Sequence, residues 1–136
     1  MSRVLTSSLG KWVDRIFEEM FFQPNDEIAH KAFEKYVSPD LQVRINGKAL
    51  TGEAWKKVIF DARAKEDFSV LTMQELFAKN GDAEVGVEGT VSHISTFTSK
   101  DKETGAQKDE KTSQTIITAA WKDGKRVMTE LTEVIG

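Results

Sequence analysis

The apolar residues of this chain change their period at Glu66. Before that point they recur every three or four residues, as one face of a helix does; beyond it they alternate, as the faces of a strand do. Helices gathered ahead of a run of strands pack on one face of a curved sheet, which predicts an α+β fold. The strand half is organised around residues 68–97, FSVLTMQELFAKNGDAEVGVEGTVSHISTF, in which Asn80-Gly81 joins two β-rich runs. Both central positions of a type I′ turn need positive φ, and Asn-Gly supplies them most readily. The sequence therefore predicts strands over 68–79 and 83–97, then over 112–122 and 126–135 joined by Asp123-Gly124.

The helical half divides cleanly. Leu9, Trp12, Val13, Ile16, Phe17, Met20 and Phe21 form one stripe, closed before Pro24. Asn25 or Asp26 caps a second helix carrying Ile28, Ala29, Ala32, Phe33 and Tyr36. After the Ser38-Pro39-Asp40 turn, Leu41, Val43 and Ile45 alternate as a short strand. Thr51 then opens a third helix that buries Ala54, Trp55, Val58, Ile59 and Ala62.

Turn register sorts the strands into faces. A two-residue loop at Asn80-Gly81 places Phe68, Val70, Thr72, Gln74, Leu76, Val91 and His93 on the drier face, under the helices. Ser69, Leu71, Met73, Glu75, Phe77, Glu84 and Glu88 fall on the wetter one. From Asp123-Gly124, Thr129, Leu131 and Glu133 share a side with Ile116 and Gln114. Trp121, Ala119, Met128, Ile117 and Val134 lie opposite, so both faces of this hairpin are partly apolar. Helices cover only one face, and the other is expected to be buried by a second copy in a homodimer.

Composition bounds the function. The 136 residues suit a single domain spanning 1–136, with 39% hydrophobic and 30% charged residues. A net charge of −3 argues against a nucleic-acid partner, which needs a clustered basic surface. No apolar run approaches the ~20 residues that span a bilayer, so no membrane role is expected. The opening MSRVLTSSLGKW lacks the apolar core of a signal peptide. With no cysteine to form disulfides, a cytoplasmic location is expected. No His, Asp or Glu grouping has metal-ligand spacing and no glycine loop suits phosphate, so neither metal nor cofactor is predicted. The charged stretch KDKETGAQKDEK at 100–111 balances itself and reads as a solvated loop.

Several stretches together resemble the NTF2-like superfamily, in particular its SnoaL-like branch. They are FEKYVSPDLQVRING, with a helix, Pro-Asp and a short strand; LTGEAW, like the Leu-x-Gly entry to the third helix; AKNGDAEVGVEGTVS; and WKDGKRV. The resemblance covers essentially the whole chain. It implies an NTF2-like (cystatin-like) cone, with three N-terminal helices packed on a strongly curved, mainly antiparallel sheet and an apolar pocket at the open end. It also implies one of two roles. One is cofactor-free acid/base chemistry on a hydrophobic carbonyl compound, as in isomerases, cyclases and dehydratases; the other is a non-catalytic ligand-binding or dimerisation module. The acidic residue that members often carry midway along the last strand is absent, since Leu131 stands near that place.

Among the residues themselves, His93 is the sharpest candidate, because histidine alone titrates near neutrality without help. On the drier face it could shuttle a proton, with Glu133 as its acidic partner after desolvation raises that carboxyl's pKa. The competing reading makes His93 a structural histidine and Glu133 a rim charge. Tyr36, Trp55, Thr72, Gln74 and Thr129 are the candidates for contacting a ligand, with Gln74 or Tyr36 steadying a developing oxyanion. Trp55 also fits a plain core role. His30, among Asp26, Glu27, Lys31 and Glu34, is expected to be solvated.

Overall fold

A computed structural model describes residues 2–136. Its elements are β1 (Ser2–Val4), α1 (Ser8–Phe21), α2 (Asp26–Tyr36), β2 (Val37–Ile45), β3 (Lys48–Thr51), α3 (Gly52–Lys65), β4 (Glu66–Lys79), β5 (Gly89–Asp101), β6 (Lys111–Lys122) and β7 (Lys125–Ile135). The seven strands form one curved, unclosed sheet in the order β1-β4-β5-β6-β7-β2-β3. Consecutive long strands pair antiparallel, while β1 runs parallel to β4 and β2 parallel to β7.

Each helix begins where a side-chain oxygen satisfies backbone N–H groups left free by the first turn. Ser7 Oγ accepts from Gly10 N in α1, Asn25 Oδ1 from Glu27 and Ile28 N in α2, and Thr51 Oγ1 from Ala54 N in α3. The expected stripe of α1 is buried from Leu9 to Met20. Buried Arg63 joins the three helices: its Nε donates to Asp26 Oδ1 at the start of α2 and its Nη1 to the carbonyl of Met20 near the end of α1. No helix among the described residues is long and apolar enough to cross a membrane.

Two turns form as type I′ hairpins. Asn46 and Gly47 have φ of 49° and 82°, and Asp123 and Gly124 have 51° and 79°. Asn80-Gly81 does not close a two-residue hairpin. Lys79 pairs with Thr90 rather than Asp82, so residues 80–88 form a loop and β5 starts at Gly89, not at residue 83. Tertiary contacts override the local turn preference here. Asp82 Oδ1 accepts from Ser8 N at 2.7 Å, and the carbonyl of Gly81 accepts from Leu9 N at 2.9 Å. A Cβ at Gly81 would lie 2.6 Å from Ser7 Cβ, so the loop packs directly on the start of α1.

Bulges correct the expected faces. In β4, Leu71 and Leu76 are extra residues relative to β5, and each inverts the alternation beyond it. Met73 and Glu75 therefore turn inward and are buried, whereas Thr72 and Gln74 stand exposed on the outer face. A third bulge leaves Thr129 without a partner, between the Thr118–Glu130 and Ala119–Met128 pairs. Leu131 and Glu133 consequently share the inner face with Ile117 and Thr115 rather than with Ile116 and Gln114.

Candidate active site

A cavity of about 400 Å³ opens between α1, α3 and the inner face of β4–β7, within the size range of small-molecule sites. Its two walls differ in chemistry. The helices contribute Phe17, Phe21, Trp55 and Ile59, joined by Phe22 just past the end of α1 and by Phe68 and Phe97 from the sheet. These rings meet edge-on or tilted, Phe17–Phe21 at 5.6 Å and Phe22–Phe97 at 6.3 Å between centroids. The opposite wall is a stripe of hydroxyls, Ser95, Ser113 and Thr115, leading down to His93. Lys108, Asp109, Lys111 and Glu66 also line the cavity. Lys108 pairs with Glu66, and its backbone N–H donates to the Ser99 carbonyl at 2.8 Å. Part of the charged stretch thus belongs to the cavity instead of standing wholly in solvent.

The register aligns the titratable groups in a single row across the sheet. Glu75 opposes His93, His93 opposes Thr115, Thr115 opposes Glu133, and Glu133 pairs with Ile45. His93 and Glu133 thus stand two strands apart, about 10 Å between backbones, with the Thr115 position between them. Both line the cavity.

His93 is 1% exposed, and neither ring nitrogen has a hydrogen-bond partner among the described residues. Burial lowers its pKa from the ordinary 6.5, partly offset by the carboxylates of Glu75 and Asp14. The ring is therefore neutral at pH 7, with one nitrogen able to accept and the other to donate. Burial raises the pKa of Glu133 from its usual 4.5, against a hydrogen bond that its Oε2 accepts from Ser113 Oγ at 2.5 Å. Burial thus favours the neutral form of both groups, the imidazole and the carboxyl.

The remaining sequence candidates divide. Trp55 lines the cavity and packs on Phe33 and Phe21. Tyr36 is buried against Trp12, 5.9 Å between centroids, and is not among the lining residues. Thr72 is on the outer face with its hydroxyl 2.6 Å from that of Thr96, and Gln74 is exposed beside it. Thr129 Oγ1 donates to the Thr118 carbonyl at its bulge, away from the lining. His30 is exposed and stacks on Phe60 at 3.8 Å. Thr72 and Gln74 thus lie on the face opposite to the expected one, and Glu75, expected on the wetter face, is turned inward between the Leu71 and Leu76 bulges, which have no local signature. The loop did leave a signal: Gly81, Gly86 and Gly89 with Asp82, Glu84 and Glu88 within nine residues are poor strand material.

Among the described residues, no group of three or more His, Asp or Glu is placed to hold a metal ion. No protein-family model and no curated protein matches the sequence. Solved structures do match the fold. A ketosteroid isomerase-like protein from Erwinia carotovora superposes with a TM-score of 0.68 at 12% identity, covering 93% of each chain. A protein with a cystatin-like fold from Nostoc punctiforme gives 0.60 at 12% identity, covering 98% of this chain and 95% of the other. The association domain of CaMKII from C. elegans gives 0.59 at 12% identity, covering 90% and 89%. The fold is thus the NTF2-like one, shared by structures with both enzyme-like and association-domain names.

Proposed function

We propose that this chain binds a small, largely apolar carbonyl compound in its cavity and moves a proton on it without a cofactor, as an isomerase, cyclase or dehydratase would. The observation that carries this reading is His93, a neutral imidazole buried beside the cavity with both nitrogens free of protein partners. A purely structural histidine normally has its hydrogen bonds satisfied, because an unmet buried polar atom costs about 1–3 kcal/mol.

In this mechanism the imidazole removes a proton from the carbon next to the carbonyl. Glu133, whose protonated form burial favours, donates a hydrogen bond from that form to the oxygen as it gains charge, in an environment where burial strengthens the bond. Returning the proton to another carbon isomerises the compound; if instead the β-carbon–oxygen bond breaks and the imidazolium gives the proton to the leaving hydroxyl, water departs and the compound is dehydrated. The hydroxyls of Ser95, Ser113 and Thr115 replace Gln74 and Tyr36 as the groups suited to orient the oxygen. The aromatic wall opposite favours a flat, ring-bearing ligand with its polar atoms along one edge.

The test is hydrogen–deuterium exchange at the α-carbon of a panel of cyclic ketones, followed by NMR in D2O. Wild-type protein should accelerate exchange of at least one member, and His93→Gln should reduce that by about 10²–10⁴-fold, the range of positioned acid–base catalysis. Exchange that is indifferent to both His93→Gln and Glu133→Gln contradicts the mechanism.

A second reading concerns assembly and is compatible with the first. The outer sheet face exposes Ile116 and Val134, with Phe77 further along it. Such a face suits burial against a second copy of the chain, giving a homodimer whose cavities stay on the helix-covered side.

A further inference from the structure

Glu75 is a buried carboxylate that the proton transfer does not use directly. It stands opposite His93 across the β4–β5 pair, where side-chain β-carbons lie about 5 Å apart. Its oxygens, however, are turned to the beginning of α1. Oε1 accepts from Thr6 N, Ser7 N and Ser7 Oγ at 3.3, 3.1 and 3.1 Å, and Oε2 accepts from Thr6 Oγ1 at 2.8 Å. Gly10 leaves room for this arrangement: a Cβ there would lie 1.7 Å from Oε1. The carboxylate is therefore held in place by four donors, and no hydrogen bond joins it to the imidazole.

We propose that Glu75 is a fixed counter-charge for His93, pinned by the start of α1 so that it stabilises the imidazolium through space while leaving both ring nitrogens to the ligand. This assigns Glu75 as a positioning residue and rests on the reading of His93 as the proton carrier. A buried imidazole with no negative neighbour would resist protonation too strongly to act as a base. A carboxylate hydrogen-bonded directly to it would occupy one nitrogen. The pinned geometry avoids both outcomes.

The surroundings support a negative bias at this position. From β4 the ring meets Glu75, and from α1 the carboxylate of Asp14 also favours its charged form. From β7, Glu133 lies two strands across with its carboxyl biased toward neutrality. The adjoining inner positions of β6 are Thr115, Ser113 and Ile117, none titratable. Those of α3 at the cavity are Trp55, Val58, Ile59 and Ala62, likewise uncharged. Glu66, Lys108, Asp109 and Lys111 complete the charged lining. Glu75 itself resists protonation: burial alone would raise its pKa from 4.5, but the bonds from Ser7 and Thr6 hold it below that value.

The experiment is an NMR titration of the His93 ring in the free protein, comparing wild type with Glu75→Gln and Glu75→Asp. Removing the charge should lower the His93 pKa by about one pH unit, the effect of an opposite charge at this range. Glu75→Asp keeps the charge while disturbing the cap on α1, and should retain most of the wild-type value. A folded Glu75→Gln protein with an unchanged His93 pKa, or an equal fall in both variants, overturns the proposal. If Glu75→Gln does not fold, the wild-type Glu75 Cδ signal decides. An inflection at the pH where His93 titrates supports coupling, and its absence overturns it. These readings need no turnover, so a loss of the catalytic reading would leave the coupling standing and testable by itself.

Discussion

His93 and Glu133 contribute opposite pH dependences to stability, and each can be isolated by substitution. The folded protein keeps His93 neutral to lower pH than the unfolded chain does. As pH falls from 6.5 toward the lowered folded pKa, the unfolded state binds the extra proton and stability drops. Glu133 works the other way: its folded pKa is raised, so its contribution is full below 4.5 and is lost as pH rises through the folded value. Denaturant midpoints measured from pH 4 to 8 should show His93→Gln removing the loss on acidification and Glu133→Gln removing the loss on alkalinisation. Parallel curves for wild type and both variants would contradict these assignments. Gly10 offers a second residue-scale test. Glycine to alanine inside a helix ordinarily stabilises by up to about 1 kcal/mol, but here the new methyl would collide with the pinned Glu75 carboxylate. Gly10→Ala should instead destabilise by about 2 kcal/mol in equilibrium unfolding.

At the level of elements, the bulges decide which side chains reach the cavity. Inserting one residue between Met73 and Gln74, in the regular stretch between the two bulges, should force either Met73 or Glu75 to the wrong face. A loss of more than about 3 kcal/mol is expected. Deleting exposed Val85 from the 80–88 loop should cost much less, and chemical denaturation of the two proteins checks the contrast. The same bulges explain what the sequence could and could not convey. The three helices, their caps at Asn25 and Thr51 and the Asp123-Gly124 turn were legible because each rests on local chemistry within a few residues. His93 and Glu133 also reach the cavity as expected, although the register that brings them there differs from the simple count. Thr72, Met73, Gln74 and Glu75 were placed on the wrong faces, since the unpaired Leu71 and Leu76 reverse the alternation between them and nothing in the adjacent sequence marks either. The edge strands β1 and β3 were missed for a related reason: three or four residues are too few to show a period.

For the whole molecule, the separation between a helix-covered inner face and a bare outer face organises both readings of function. If the outer face is a dimer interface, sedimentation equilibrium should give a mass that rises toward twice the monomer with concentration. Ile116, 47% exposed, and Val134, 65% exposed, lie on adjacent strands of that face, and Ile116→Asp with Val134→Asp should shift the equilibrium to monomer. A monomer mass at every concentration contradicts the interface. The inner face makes the more direct claim, that the free nitrogens of His93 belong to a ligand in the cavity. The decisive measurement follows the ring nitrogen signals of His93 while the protein is titrated with cyclic enones at neutral pH. Saturable shifts of those nitrogens, weakened when Trp55 is replaced by alanine, are the predicted result. Enones that bind without disturbing the His93 ring, or a panel that never enters the cavity, would contradict it.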